Sequence, residues 1–300
     1  MKREVILPES RDQWLHLRKQ DVTSTGVSAL FGISPYRSVY QLFNEKARGW
    51  EDEIKDNARM LWGRRLERSV AEGIAKDNRL EVRPLAEYIR IPELRIGSSF
   101  DFETPDMDLF EVKTVDSLTF KNDWFELPDG GFAAPRHIEL HVQHQLAVTG
   151  RGLCYLAVLV GGNRAHLLYR VRDEKTIDEI FQKVKQFWTM VDANQPPPPD
   201  YDRDCKNVAK MYSYAEPNKV ISGTAEVRDW ALEHKDLSVE IKDLQKTQGI
   251  LKAKILEAIG DAERVEGEGF TISAGMTSPV KISEYERKGW RQFKINRKKS

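Results

Sequence analysis

The sequence predicts an α/β domain with helices packed around a mixed sheet, followed by a mainly helical extension. Three observations carry this. Apolar residues recur at helical spacing as far as Lys76, then at period two after Gly73–Asn78. Leu153–Val160, reading LCYLAVLV, is a nearly continuous apolar run, the pattern of a central strand covered on both faces. Pro196–Pro199 then marks a stiff break in composition. Beyond it Leu237, Ile241, Leu244, Gln248, Leu251 and Ile255 alternate at spacings of four and three, a heptad seam with one polar slot.

In order, Ser10-Arg11-Asp12-Gln13 has the form of a capping box opening a short helix that carries Trp14, Leu15, Leu17 and Arg18. Val22-Thr23-Ser24-Thr25-Gly26 leads into a second short helix through Val27, Leu30 and Phe31. A third helix starts at Pro35–Ser38, carries Val39, Leu42 and Phe43, and stops at Gly49. The long helix at about Asn57–Lys76 places Leu66, Val70 and Ile74 on a buried stripe, with Glu67 beside it between Gly63 and Ala71. Glu81–Arg83 and Tyr88–Ile91 enter the sheet as mainly antiparallel strands. Two further strands, roughly Leu94–Phe102 and Leu109–Val115, flank the turn residues Thr104-Pro105-Asp106.

Residues 116–136 read as an aromatic, glycine-containing loop. A helix over His137–Thr149 turns Ile138, Val142 and Leu146 inward, with His141, Gln143, His144 and Gln145 close to that face. The two histidines have no further His or Cys at ligand spacing, so zinc is not expected. After the central strand, Ala165–Val171 forms another, and Asp173 caps an amphipathic helix carrying Ile177, Phe181, Val184, Trp188 and Val191. The resulting division is a domain at residues 1–195, a Pro-rich linker at 196–222, and residues 223–300 with a long helix, a small β segment (Phe270–Ile272, Val280–Ile282) and a basic tail. The seam can pair with another chain or fold back on this one.

Composition excludes several classes. With 300 residues, 40% hydrophobic, the chain can bury one good core and a second module. No apolar run reaches the roughly 18 residues of a membrane span, and MKREVILPES lacks the apolar segment of a signal peptide. Two cysteines are too few for a disulfide scaffold or a cysteine-ligated cluster, so a cytoplasmic protein without membrane association is expected. Net charge is zero from 47 basic and 47 acidic residues, so any nucleic-acid contact must come from local clustering. The tail Arg287–Lys299, basic with Trp290 and Phe293 interleaved, has that character.

The chemistry-bearing stretch is Gly97–Thr114, GSSFDFETPDMDLFEVKT. Side chains alternate along a strand, so Glu111 and Lys113 point the same way, and a hairpin would bring Asp101 near Glu111. Two converging carboxylates suit a hard divalent cation such as Mg²⁺. A lysine beside them can orient a water and stabilise charge building on a phosphate. Without such a site, the same residues make an exposed acidic hairpin.

This stretch resembles the core of the PD-(D/E)XK nucleases, and the chain from about residue 8 to 195 resembles the YqaJ-like viral recombinases, the family of lambda exonuclease. Five pieces carry the likeness in order. Trp14-x-x-x-Arg18 with Val22-Thr23-Ser24-Thr25 is similar to the block that binds a DNA 5′ phosphate. Trp62-Gly63-x-x-x-Glu67 is similar to the helix supplying a metal-site glutamate. Ser99-x-Asp101 resembles the strand of the first catalytic carboxylate, Glu111-Val112-Lys113 the E-x-K element, and Gln143-x-Gln145 the glutamine-bearing helix. Family members often carry Pro before the catalytic Asp and Gly after it; here Phe100 and Phe102 flank Asp101.

The resemblance implies a PD-(D/E)XK core fold and a Mg²⁺-dependent 5′-to-3′ exonuclease, with Mn²⁺ as a substitute, that digests one strand of linear duplex DNA. It implies a catalytic set of Asp101, Glu111, Lys113, Glu67 and Gln145, and metal positions at Asp101, Glu111, Glu67 and Val112. It also implies a DNA 5′-phosphate set of Arg18, Thr25, Ser99 and Gln143, with Gln145 or Gln143 orienting Lys113 or the metal-bound water. Double-stranded DNA ends, a ring-shaped homotrimer, a single-strand annealing partner and a phage- or prophage-borne origin come with it. An endonuclease of the same fold and a non-catalytic DNA-binding or assembly protein are the alternatives. Residues 200–300 have no counterpart in lambda exonuclease itself.

Overall fold

The computed structural model describes residues 1–49, 57–128 and 130–276, and every structural statement here concerns those residues. They divide into two units, Met1–Asn207 and Val208 onward.

The first unit opens with β1 (Glu4–Ile6), a strand the sequence pattern did not reveal because it is too short and exposed to show alternation. The Ser10 hydroxyl caps α1 (Arg11–Gln20) by accepting from the Gln13 amide at 3.2 Å, and the Gln13 carboxamide takes the Glu9 amide at 2.6 Å. After the single turn α2 (Val27–Leu30), α3 (Val39–Arg48) begins at a capping box between Ser38 and Gln41. It ends at Gly49, whose φ of 63° is left-handed and suits a residue without Cβ. Asn57 caps α4 (Ala58–Asp77). The stripe expected on α4 is buried only in its later part: Val70 and Ile74 are inside, but Leu66 is 37% exposed, because burial of α4 begins at Val70.

The strands β2 (Arg83–Pro84), β3 (Tyr88–Ile91), β4 (Ile96–Ser98), β5 (Phe102–Glu103) and β6 (Leu109–Val115) follow. The single strand expected over Leu94–Phe102 is in fact two. β4 joins a three-stranded sheet of order β1-β3-β4, whereas β5 pairs antiparallel with β6 in a second sheet, and the chain changes sheet at Ser99-Phe100-Asp101. Gly97 is needed at this crossing. A Cβ there would lie 2.5 Å from the Tyr88 hydroxyl and 2.6 Å from Asp21 Oδ2.

The stretch expected to be a loop holds α5 (Ser117–Asp123) and a hairpin of β7 (Phe125–Glu126) with β8 (Phe132–Ala133). Stacking of Phe120 on Trp124 and His166 orders it. Next come α6 (Arg136–Thr149), β9 (Leu153–Val160), β10 (Arg164–Val171) and α7 (Glu174–Asp192). The main sheet has order β10-β9-β6-β5-β2; β6 and β9 run parallel and the other pairs are antiparallel, so the sheet is mixed, as the pattern predicts.

Each face of the main sheet has its own core. On one, Leu109, Leu156 and Val158 pack with Val142 and Leu146 of α6 and Val184 of α7. On the other, Phe102, Phe110, Val112 and Ala157 pack with Val70, Ala71 and Ile74 of α4. Strand alternation therefore sends Phe110 and Val112 toward α4, and Glu111 and Lys113 toward α6.

The stretch read as a Pro-rich linker contains α8 (Tyr201–Met211). Its first part docks on the first unit through polar contacts. The fully buried Asp204 carboxylate accepts from the Ser38 hydroxyl at 2.7 Å and the Asp200 amide at 2.9 Å, and Arg203 donates to the Ser34 carbonyl. An apolar-period search cannot see a helix held this way.

In the second unit, Thr224 caps α9 (Ala225–Ile259), which has no buried residue. The seam residues Leu237, Ile241, Leu244, Leu251 and Ile255 are all exposed. The strand expected at Phe270–Ile272 is β12 (Phe270–Ser273), paired with β11 (Arg264–Gly267). Val280–Ile282 and the basic tail Arg287–Lys299 lie outside the described residues. Among the described residues no helix is long and apolar enough to cross a membrane.

Candidate active site

The site is built where the chain changes sheet. Phe100 is buried in the core beneath α6, and Phe102 in the core beneath α4. The two rings thus anchor the main chain on opposite faces and fix Asp101 between them. The Val112 amide donates to Asp101 Oδ2 at 2.9 Å, which holds this carboxylate beside the Glu111-Val112-Lys113 strand as the hairpin expectation requires. The Val112 side chain lies in the α4 core, so only its main chain faces this chemistry.

Glu111 is the hub. Its Oε1 accepts from the Lys113 ammonium and lies 2.9 Å from Nε2 of His141, while its Oε2 accepts from the Gln145 carboxamide at 2.8 Å. Gln145 also reaches the Ser99 carbonyl at 3.3 Å, tying α6 to the sheet crossing. Burial pushes the Glu111 pKa up, but Lys113 and His141 outweigh it and hold the carboxyl well below its ordinary value. Burial also disfavours the Lys113 ammonium, yet Glu111 and Asp101 raise its pKa overall, so the pair is ionised.

Asp101 behaves oppositely. Burial first, and then the neighbouring Glu111, push its pKa well above the ordinary carboxylate value, with Glu67 adding to the effect. Glu67, half-buried on α4, is raised for the same reasons, burial and then Glu111. Gly63, one turn earlier, lets α4 come close to β6; a Cβ there would already touch Thr114 Oγ1 at 3.7 Å. Three carboxylates, from the sheet crossing, from β6 and from α4, therefore feel one another's charge with one lysine among them. Gln145 Oε1, buried beside Glu111, lacks a hydrogen bond.

Oxygen donors crowded this closely fit a hard divalent cation, which would relieve their mutual repulsion and displace the proton that Asp101 favours. Among the described residues, no three His, Cys, Asp or Glu side chains already close into a cage. The arrangement is an open site whose resident counter-charge is Lys113.

The other residue set lies alongside. Trp14 donates its indole N–H to the Ser99 hydroxyl at 2.7 Å, and the Arg18 guanidinium lies 4.6 Å from the Trp14 ring centroid. Arg18 donates to Thr25 Oγ1 at 3.2 Å, and the Thr23 and Thr25 hydroxyls are 3.1 Å apart. The structure thus brings Arg18, Thr25 and Ser99 together around Trp14. It also brings Lys46, which sequence reasoning missed: a buried ammonium donating to the Arg18 carbonyl at 2.7 Å. On the sequence Lys46 is an ordinary cation in the last turn of a helix, with no distinguishing signal.

Gln143 is a correction. Two positions from Gln145 on a helix is the wrong side, and its carboxamide is taken up by the Val171 carbonyl (2.8 Å) and the Asp173 amide (2.9 Å) at the start of α7. The two α6 histidines also part company. His144 is fully buried against the Val22 carbonyl at 3.1 Å, while His141 joins Glu111. His141 and Gln145 stand four apart on one face of α6, and that spacing was the available signal for His141.

The chain resembles known proteins in both sequence and fold. Residues 13–152 match the model of the YqaJ-like viral recombinase domain. The chain is 26% identical over 266 residues to the uncharacterized protein YqaJ of Bacillus subtilis (strain 168), spanning 85% of this chain and 80% of that one. Among solved structures, the alkaline exonuclease LHK-Exo from Laribacter hongkongensis superposes with a TM-score of 0.51 at 20% identity, covering 67% of this chain and 99% of that one. Its complex with dAMP gives a TM-score of 0.50, with the same identity and coverage. Residues 13–152 thus resemble the YqaJ-like viral recombinase domain, and the first unit shares the fold of the Laribacter protein.

Proposed function

We propose that this chain is a divalent-metal-dependent deoxyribonuclease that degrades one strand of linear double-stranded DNA from its 5′ end, leaving 3′ overhangs for recombination. The observation that supports it most is the convergence of Asp101, Glu111, Lys113 and Gln145 where the chain passes between two sheets. The fold relative from Laribacter hongkongensis is an alkaline exonuclease that binds dAMP, which supports the reading as a deoxyribonuclease.

In this reading Asp101 and Glu111, with Glu67 and the main chain at Val112, hold a Mg²⁺ ion, for which Mn²⁺ can substitute. When bound, the ion acts as a Lewis acid on the scissile phosphate and lowers the pKa of the attacking water. Lys113 donates to that water or to a phosphate oxygen, stabilising negative charge as it develops. Gln145 keeps the Glu111 carboxylate oriented and ties it to Ser99. Arg18 and the Thr25 and Ser99 hydroxyls bind the terminal 5′ phosphate, with the Trp14 ring holding Arg18 in place. A homotrimeric ring and an annealing partner for the 3′ strand belong to the same proposal.

The test is digestion of a linear duplex, labelled in turn at each end, with Mg²⁺ and with EDTA, beside a covalently closed circle. Mg²⁺-dependent loss from 5′-phosphorylated ends, slower from 5′-hydroxyl ends, with the circle untouched, is the expected result. Arg18→Ala should remove most of the difference between phosphate and hydroxyl ends. A nicked or linearised circle would instead mean an endonuclease, and no cleavage of either substrate a binding protein.

A further inference from the structure

The turn at residues 34–38, just before α3, is pinned at both ends by buried polar groups, yet it carries an exposed aromatic ring. The Ser34 hydroxyl, 2% exposed, accepts from the Tyr36 amide at 3.2 Å and from the Arg37 amide at 3.3 Å. From α8, Arg203 donates to the Ser34 carbonyl at 2.5 Å, and the buried Asp204 accepts from the Ser38 hydroxyl at 2.7 Å. Both α8 residues lie outside the span 13–152 that matches the recombinase domain. Tyr36 itself is 78% exposed, and its ring meets the half-buried His137 of α6 edge to face, with centroids 5.9 Å apart. That ring stands between the two phosphate-directed parts of the site. His137 is one helical turn before His141, which contacts Glu111. Burial lowers the His137 pKa, and His141 and then Lys113 lower it further, so Lys113 is close on that side. On the other side Arg37, held by Glu45, is close to Arg18: burial lowers the Arg18 pKa, and the Arg37 charge acts in the same direction.

We propose that Tyr36 is the stacking platform for the base of the terminal 5′ nucleotide, and that Arg203 and Asp204 are positioning residues that hold it there. This rests on the nuclease reading above and adds to it the group that receives the base. With the terminal phosphate at Arg18 and the scissile phosphate at Lys113, one nucleoside lies between them, on the side where Tyr36 is exposed. Stacking on an aromatic ring is indifferent to base identity because every base has a π-face, which suits an enzyme that removes each nucleotide in turn. A ring on a turn already fixed by α8 gives up little backbone freedom when the base arrives.

The test is fluorescence-anisotropy binding of the full chain, in Ca²⁺, to a 5′-phosphorylated duplex closed by a hairpin at its far end. A second duplex lacks only the base of its terminal 5′ nucleotide. The wild type should bind the complete end roughly ten-fold more tightly than the abasic end. Tyr36→Ala should abolish that preference and leave affinity for the abasic end unchanged, whereas Tyr36→Phe should keep the preference. Arg203→Ala should remove part of it, again with the abasic end unaffected. Tyr36→Ala that weakens both ends equally, or neither, overturns the proposal, as does a wild type that binds both ends alike. A full preference in Arg203→Ala overturns the positioning role of α8. In each of these cases the nuclease reading stands if the wild type distinguishes 5′-phosphate from 5′-hydroxyl ends and Arg18→Ala does not. A chain that binds neither end better than a covalently closed circle overturns that reading and this inference together.

Discussion

The two units of this chain use similar apolar residues to opposite ends. In the first, Leu109, Leu146 and Leu156 are almost fully buried, and each face of the sheet has its own core. In the second, the α9 leucines and isoleucines recur just as regularly, yet none is buried. Periodicity states which side chains share a face; it does not state that anything covers the face. The first unit covers its stripes with α4, α6 and α7, and only there do polar groups such as Glu111 leave water and acquire unusual chemistry. The α9 seam makes no comparable environment.

The largest effect expected from this contrast is catalytic. Glu111→Gln keeps the shape of the hub but removes its charge, and should lower hydrolysis on the order of 10³-fold or more, about 4 kcal/mol in the barrier. DNA binding in Ca²⁺ should be largely retained, as a filter-binding assay would show. Hydrolysis at near wild-type rate would remove the first unit's claim to the chemistry.

Matched truncations test the contrast in packing. Leu156→Ala, fully buried on β9, should cost about 3 kcal/mol in urea unfolding. Leu244→Ala, 61% exposed on α9, should cost under about 0.5 kcal/mol. If Leu244→Ala instead costs 2 kcal/mol or so, with a midpoint that varies with protein concentration, the seam is paired between chains and the contrast fails.

Burial in the first unit should also be visible in pH dependence. Desolvation of His144 drops its pKa from the ordinary 6.5 to about 3, with the Val22 carbonyl opposing only in part. Between those values the unfolded chain binds a proton that the folded one does not, so stability rises with pH across this window and is lost as pH falls below 6.5. The contribution is up to about 1.4 kcal/mol per pH unit. His144→Gln should flatten the slope of unfolding free energy between pH 6.5 and 5; an unchanged slope would show that His144 is already hydrated.

The smallest effect concerns the cap that joins α3 to α8. The Ser38 hydroxyl accepts from the Gln41 amide at 3.1 Å and donates to the buried Asp204. Ser38→Ala should cost about 1–2 kcal/mol, the upper end because Asp204 loses a partner. In the second unit the Thr224 cap stands alone, and Thr224→Ala should cost about half as much or less.

Much of the first unit was legible because its elements are locally overdetermined. The capping signals at Ser10 and Asp173, the terminating Gly49 and the apolar β9 run each state their element without reference to distant residues. What escaped was held by distant or polar contacts. β1 exists because β3 offers an edge, and α8 docks by a carboxylate and a guanidinium rather than an apolar stripe. The break of Leu94–Phe102 between two sheets follows from where the two cores lie, not from the propensities of those residues.

The candidate site divides the same way. By its own pattern the sequence determined that Glu111 and Lys113 share a strand face, that pairing across the Thr104-Pro105-Asp106 turn would bring Asp101 near Glu111, and that Glu67 lies one helical turn after Gly63. Period and turn chemistry are local properties of a chain. Only the tertiary structure decided that Gln145 and not Gln143 meets Glu111, that His141 joins them, and that Lys46 backs Arg18. Those outcomes depend on which face of α6 and α3 the packing turns inward, and on charges from separate elements meeting in a medium that no longer screens them.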